Sequence, residues 1–293
     1  VAFRDVSLLA LECSFAMTPV EFMLVTFVAS VAAGLVGSIL GLGGGIIVVP
    51  TLTLLLGVNI RFAIGASIVS VIATSTGAAA AYVREHLTNL RLGMLLEVAT
   101  TAGALGGAYV AGAIPGHWLQ RIFGILLAYV AVMMFLQPAK RSHSTARPDA
   151  IADGLRLHSS YFDVQQQAQV TYRVGRTWLG LLVSWLAGAI SGMLGVGGGI
   201  LKVPVMALGM NVPMKAATAT SNFMIGVTAA ASAGIYFLRG EVDPFIAAPV
   251  VLGITVGATT GSRLLGRLRT ASVRRAFVVV LIIVSFQMLT KKG

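Results

Sequence analysis

Charge is scarce in this chain. Only 11% of its 293 residues are Asp, Glu, Lys or Arg, where a soluble domain carries about 25%. A water-soluble globular fold is therefore not expected. Cysteine is almost missing too: Cys13 stands alone, so no internal disulfide forms and no Cys/His metal cluster is available. The four histidines, His86, His117, His143 and His158, fall at the ends of apolar runs or in a polar stretch. A serine–histidine protease inside a membrane bundle would need one within a run. No paired aspartates lie inside the apolar runs, which removes metal–diphosphate chemistry. Neither a complete GxGxxG in a strand–helix context nor a Gly-Lys-Ser/Thr loop occurs, so nucleotide binding is not expected. These absences point to a non-enzyme with no metal and no cofactor.

What the chain has is apolar length. It is 57% hydrophobic with a mean hydropathy of +0.89, and it holds several runs of the roughly 20 residues that span a bilayer. A transmembrane β-barrel would show alternating ten-residue segments instead. The expected fold is an all-α, polytopic transmembrane helix bundle in a bacterial-type cytoplasmic (inner) membrane. The net charge of +11 sits mostly in the gaps between runs, as topology demands, so the bilayer and not nucleic acid is the expected partner. "SLLALECSFA" (7–16) is interrupted by Glu12 and reads as a segment near the membrane surface, within an N-terminal extension over 1–18.

Ten apolar segments are predicted. The first repeat (19–137) holds Pro19–Leu40, Ile46–Gly57, Phe62–Val83, Leu92–Ala113 and Trp118–Leu136. The second (178–293) holds Trp178–Leu194, Ile200–Gly209, Ala216–Leu238, Phe245–Leu265 and Val273–Leu289. Residues 138–177 form a polar linker, with six basic and three acidic residues between Pro138 and Arg176. Ile46–Gly57 and Ile200–Gly209 are too short to cross a ~30 Å core at about 1.5 Å per residue. Each follows a glycine cluster, which predicts a broken or re-entrant helix.

The two halves repeat. Adding 154 carries Gly34 to Gly188, Gly43–Gly45 to Gly197–Gly199, Pro50 to Pro204, Ser67 to Ser221, Tyr82 to Tyr236, and Gly103 and Gly107 to Gly257 and Gly261. A two-residue slip is expected between Pro50 and Ser67. Positive charge swaps sides between equivalent loops. "VREHLTNLR" (83–91) has two arginines, and its equivalent "LRGEVDPF" (238–245) has one against two acids. "IPGHWLQR" (114–121) has one, and "RLLGRLRTASVRR" (263–275) has five. The positive-inside rule then inserts the halves in opposite senses, with the linker cytoplasmic and the N-terminus outside. Inverted repeats with paired interrupted segments are the signature of a transporter with a midplane site.

The glycine breaks are the candidate site. Non-helical backbone at membrane depth is tolerated only inside protein or along a cavity. A half-helix beginning there would aim free N–H groups and its positive dipole end at an anion. Gly43, Gly44 and Gly45, with Gly197, Gly198 and Gly199, are the candidate turns, expected to converge. Lys202, where the first copy has Val48, is a charge inside an apolar run and so a functional candidate. It would contact the anion, or else pair with Glu97 or snorkel. Ser67, Thr220, Ser221 and Asn222 add hydroxyl and amide donors, and Ser70 and Thr74 share the Ser67 face. Such groups often bond only their own helix. Glu97 is the acid placed to carry a proton if transport is proton-coupled.

"GLGGGIIVVP", "GVGGGILKVP", and the following "GAS" (65–67) and "ATS" (219–221) resemble the TauE/SafE sulfite exporter family, the toluene sulfonate uptake permease group. The resemblance covers about residues 20–290. It implies transport of a small sulfur oxyanion or organosulfonate, sulfite export being the best-known activity. By position it also implies that the glycine turns at 43–45 and 197–199, with Ser67 and Ser221, form the central site. The first copy's "GAS" departs from the Thr-Ser pair kept at Thr220–Ser221. Moving an anion outward across an interior-negative membrane gains about 2.3 kcal/mol per charge per 100 mV, so export needs no coupled ion. A proton-coupled permease, or an anion channel for organosulfonates, thiosulfate or another small anion, is the alternative.

Overall fold

The computed structural model describes residues 18–40, 44–136, 149–163, 167–264 and 270–290. The first half comprises α1 (Pro19–Leu40), α2 (Gly45–Pro50) running into a π-helical turn (Thr51–Leu55), α3 (Ile60–Arg84), α4 (Leu90–Ala113) and α5 (Gly116–Leu136). A short helix α6 (Ala150–Gly154) and an antiparallel hairpin of β1 (Ser159–Asp163) and β2 (Ala168–Tyr172) follow. The second half comprises α7 (Thr177–Leu194), α8 (Gly199–Pro204) with its π-helical turn (Val205–Gly209), α9 (Met214–Leu238), α10 (Pro244–Leu264) and α11 (Thr270–Thr290). All ten predicted apolar segments are helical, with ends within a few residues of those expected.

Local chemistry sets the ends. Thr18 and Glu21 form a capping box: the Thr18 N–H donates to Glu21 Oε2 at 2.8 Å, and the Glu21 N–H donates to Thr18 Oγ1 at 3.3 Å. Pro19 supplies the preset first helical φ. Asp243 caps α10 by accepting from the Phe245 N–H at 2.8 Å, with Pro244 at the first helical position. Among the described residues, six helices are long and apolar enough to cross a membrane: Pro19–Val36, Ile60–Arg84, Leu90–Ala113, Gly116–Phe135, Thr177–Leu194 and Met214–Leu238. Large apolar side chains stand outward on them. Val98, Tyr109, Phe135 and Phe237 are all more than 70% exposed, a surface that only lipid satisfies.

The chain divides into two compact units. One holds residues 1–70, 112–136 and 236–293, and the other 71–111 and 137–235. Each draws on both halves of the sequence, and each is built on one close helix crossing. In the first unit α1 meets α10: Gly34 lies on the backbone of Ile254, and Gly257 lies on the carbonyl of Val31. In the second unit α7 meets α4: Gly188 lies on the carbonyl of Thr100, and Gly103 lies on that of Trp185. The two crossings are copies, since 34 and 188, 254 and 100, 257 and 103, and 31 and 185 all differ by 154. Lipid chains are as apolar as leucine, so helices in membranes associate by close backbone packing at small residues. The buried face of α4 shows this: Gly93, Thr100, Gly103, Ala104, Gly107, Ala108 and Ala111 point in, while Met94, Val98, Leu105 and Tyr109 point out.

The linker is more than a polar connection. Ala152, Leu157, Tyr161, Tyr172 and Val174 are buried in one cluster with Leu92, Leu96, Met206, Met210 and Met224 of the second unit. Asn89 ties it down. Its Nδ2 donates to the Leu157 carbonyl at 2.8 Å and to the Tyr172 hydroxyl at 3.2 Å. Asp149 starts two helices at once, accepting from the Ile151 N–H at 3.1 Å and from the Thr177 N–H. Burial raises the Asp149 pKa, but these backbone bonds outweigh it and hold the carboxyl below its ordinary value.

Two outcomes follow for stability. Gly188→Leu forces a side chain into the Thr100 carbonyl and costs about 1–3 kcal/mol, read as a lowered thermal midpoint in detergent. Gly106→Ala, at a glycine with nothing within 4 Å of a new Cβ, leaves the midpoint unchanged or higher. The Asp149 contribution is complete above the unfolded aspartate pKa of about 3.9 and is lost as pH falls through the lower native value. The gap in midpoint between wild type and Asp149→Ala is therefore present at pH 7 and closes below about pH 4.

Candidate functional site

The break in the second unit is built from left-handed backbone. Gly195 ends α7 at φ +69°, and Gly197 and Gly198 follow at +82° and +67°. Residues with a Cβ seldom adopt these values, which explains the glycines. Helix α8 then starts, with the N–H groups of Leu201 and Lys202 both returning to the Gly198 carbonyl at 3.3 Å. Gly199 and Ile200 belong to its first turn, whose N–H groups have no intrahelical acceptor. Pro204 removes one helical donor, and the chain passes into the π-helical turn.

The first unit repeats the short helix and the π-helical turn that follows it. Ile47 and Val48 donate to the Gly44 carbonyl at 3.1 and 3.2 Å, and Pro50 leads into its own π-helical turn. The Val58 N–H bonds Leu52 at 3.0 Å, as the Val212 N–H bonds Met206 at 2.9 Å. Gly57 at φ +65° matches Asn211 at φ +61°. The 154-residue register holds through this stretch, so the expected two-residue slip does not occur. Side chains here are too dissimilar for identity matching to find the register that the backbone keeps. Gly43 lies outside the described residues. Gly44 is right-handed at φ −70°, unlike Gly198.

The predicted hydroxyls fall into different roles. Ser67 is buried and donates to the Gly45 carbonyl at 3.3 Å, tying α3 to the first break. Ser70 and Thr74 bond carbonyls of their own helix. Thr220 is buried and accepts the Asn89 N–H at 3.0 Å, which joins α9 to the base of α4. Asn222 is half-buried on α9. Ser221 is different. It is 1% exposed, its Oγ has no hydrogen-bond partner, and it lies 3.3 Å from where a Cβ on Gly199 would stand. A buried hydroxyl without a partner costs about 1–3 kcal/mol. A Cβ on Gly198 would stand 3.4 Å from Lys202 Cε. The second break thus has a free hydroxyl and a lysine stem beside bare glycine backbone.

Lys202 does not snorkel. It is 1% exposed, and its Nζ donates to Thr228 Oγ1 at 3.1 Å. Thr228 lies 2.8 Å from Glu97 Oε1 and 2.8 Å from the Met224 carbonyl. Glu97 is 7% exposed and also accepts from Thr101 at 3.0 Å. The expected alternative of a Lys202–Glu97 pair is thus realised through a hydroxyl. Sequence reasoning missed Thr228. Its counterpart at 74 had been placed on the hydroxyl face, so the repeat spacing was the available signal. Backbone N–H groups, the Ser221 hydroxyl and the Lys202 ammonium are all hydrogen-bond donors. Among the described residues no group of three or more His, Cys, Asp or Glu is placed to hold a metal ion.

Comparison with known proteins agrees. The family model described as "Sulfite exporter TauE/SafE" matches residues 26–288. "Probable membrane transporter protein YunE" of Bacillus subtilis (strain 168) is 28% identical over 269 residues, covering 89% of this chain and 95% of its own. A "Probable membrane transporter protein" of Xylella fastidiosa (strain 9a5c) is 28% identical, covering 87% and 91%. "Sulfite exporter TauE/SafE family protein 3" of Arabidopsis thaliana is 25% identical, covering 57% of this chain and 34% of its own. No solved structure matches. With the paired glycine–proline breaks, the lipid-facing helices and a match over nearly the whole membrane part, the chain belongs to the TauE/SafE sulfite exporter family and is an integral membrane transporter.

Proposed function

We propose that the protein is a secondary carrier, not an enzyme, that exports a small sulfur oxyanion, sulfite foremost, by alternating access between two inverted repeats. The anion is held at the glycine-rich breaks. In the second unit it takes backbone N–H groups at Gly197–Gly199, the Ser221 hydroxyl and the Lys202 ammonium, with Thr220 and Asn222 nearby on α9. The same role is proposed, within the first unit, for its own break at Gly43–Gly45 with Ser67. The observation that carries this reading is the buried, unpartnered Ser221 Oγ beside Gly199. It is an unmet hydrogen-bonding group in a place that a bound anion would satisfy. The charge pattern supports a cytoplasmic linker, an outer N-terminus and residence in a cytoplasmic membrane.

A second reading, proton-coupled uptake, draws on Glu97, an acid kept inside a membrane segment at a cost that such segments seldom bear without use.

Proteoliposomes loaded with sulfite test the proposal. Wild type shows saturable efflux and counterflow, which an open channel would not. Lys202→Ala removes a charge-assisted bond worth about 1.5–3 kcal/mol and lowers apparent affinity roughly ten- to hundredfold. Efflux at the wild-type rate and affinity removes Lys202 from the site. Gly198→Val blocks the left-handed backbone and abolishes flux; retained flux would return that turn to a packing role.

A further inference from the structure

The charged cluster is confined to one unit. Lys202, Thr228 and Glu97 have Val48, Thr74 and Val251 at their repeat-related positions. Lys202 and Glu97 come from opposite halves of the sequence and meet only in the fold. The charged group acting on each is the other. Among the described residues, no other charged group acts on either of them. Helix α7 has no ionisable side chain between Thr177 and Leu194, and α9 has Lys215 and Tyr236 near its two ends. Those lie 13 and eight residues from Thr228, about 20 and 12 Å along the helix.

Thr228 has one hydroxyl proton and two acceptors at the same distance, 2.8 Å: Glu97 Oε1 and the Met224 carbonyl. It also accepts from Lys202 Nζ at 3.1 Å. The hydroxyl therefore has two settings. Turned to Glu97, it bridges an ionised carboxylate to the ammonium. Turned to Met224, it frees its oxygen to accept a proton-bearing Glu97. Lys202 Cε meanwhile lies beside Gly198, so its ammonium has a choice of partners: the Thr228–Glu97 bridge or an anion at the break.

We propose that the anion and Glu97 compete for Lys202, so that an anion binds together with one proton taken up by Glu97. This rests on the reading of the second break as the anion site. In the empty site Lys202 is positive and Glu97 negative. On binding, the ammonium keeps its protons and turns from Thr228 Oγ1 to an anion oxygen. A proton from solution adds to a Glu97 carboxylate oxygen, and that acid donates to Thr228 Oγ1, whose own hydrogen turns to Met224. A single anionic charge arrives with a proton, so the buried cluster stays neutral throughout. Uncompensated charge at this depth is what the membrane penalises. Binding of the anion is then electroneutral at the site.

Titration calorimetry of sulfite binding to the detergent-purified full chain, in two buffers of different ionisation enthalpy, counts the protons taken up. The probe's own protonation is common to all proteins compared. Wild type takes up about one proton more per sulfite than Glu97→Gln, as linkage requires. Equal counts overturn the inference alone. No sulfite binding to either protein overturns both the inference and the site reading on which it rests. A measurement on wild type needs no folded variant: sulfite addition produces a new protonated-carboxyl stretch in the infrared difference spectrum. Absence of that band in sulfite-saturated wild type also overturns the proposal.

Discussion

Everything in this structure follows from one constraint: backbone polar groups placed in a membrane must find partners inside the protein. The chain nevertheless interrupts itself twice, at glycine turns that lead into six-residue helices and π-helical turns. Such backbone survives only where other helices exclude lipid from it. The glycine crossings of α1 with α10 and of α4 with α7 bring helix backbones into contact, and each compact unit is organised around one of them. The exposed faces are left to large apolar side chains. At those crossings small residues face inward, as expected in a solvent that offers no hydrophobic drive for helices to associate.

The same constraint concentrates chemistry at the second break. Three left-handed glycines, Gly195, Gly197 and Gly198, bend the chain without a side chain to fill the space. Ser221 and Lys202 border that space, and Lys202 is neutralised through Thr228 by Glu97. The first unit has a matching short helix and π-helical turn but not the charge: Val48 stands for Lys202 and Val251 for Glu97. The units therefore share a shape and differ in electrostatics. That asymmetry leaves the Lys202–Thr228–Glu97 group to the second unit.

Much of this was legible in the sequence for physical reasons. Apolar length reveals a membrane helix because the bilayer is a uniform solvent of known thickness. Glycine clusters before short runs reveal breaks because glycine and proline are the residues that make them. The 154-residue spacing then ties Gly198 to Gly44 and Ser221 to Ser67. Other features depend on tertiary pairing and could not be read in this way. That α4 pairs with α7, from opposite halves, is invisible to periodicity. The bridge between Lys202 and Glu97 needs a third residue, Thr228, which no spacing from either of them singles out. The linker reads as polar because its apolar residues are few, yet Leu157, Tyr161, Tyr172 and Val174 are nearly all buried. Their partners, such as Leu92 and Met210, come from membrane helices and not from the linker itself. The apparent slip between Pro50 and Ser67 arose from matching side chains where only backbone geometry is kept.

On the proposed reading a small oxyanion sits on the glycine turn of the second unit, near Ser221 and the Lys202 stem. Selenite, a heavier oxyanion of the same shape as sulfite, locates it directly by anomalous scattering from crystals of the full chain. A selenium peak is expected within hydrogen-bonding reach of Ser221 Oγ, Lys202 Nζ and the N–H groups at Gly198–Gly199. A bound selenite found away from this turn, with Ser221 still unpartnered, would contradict it.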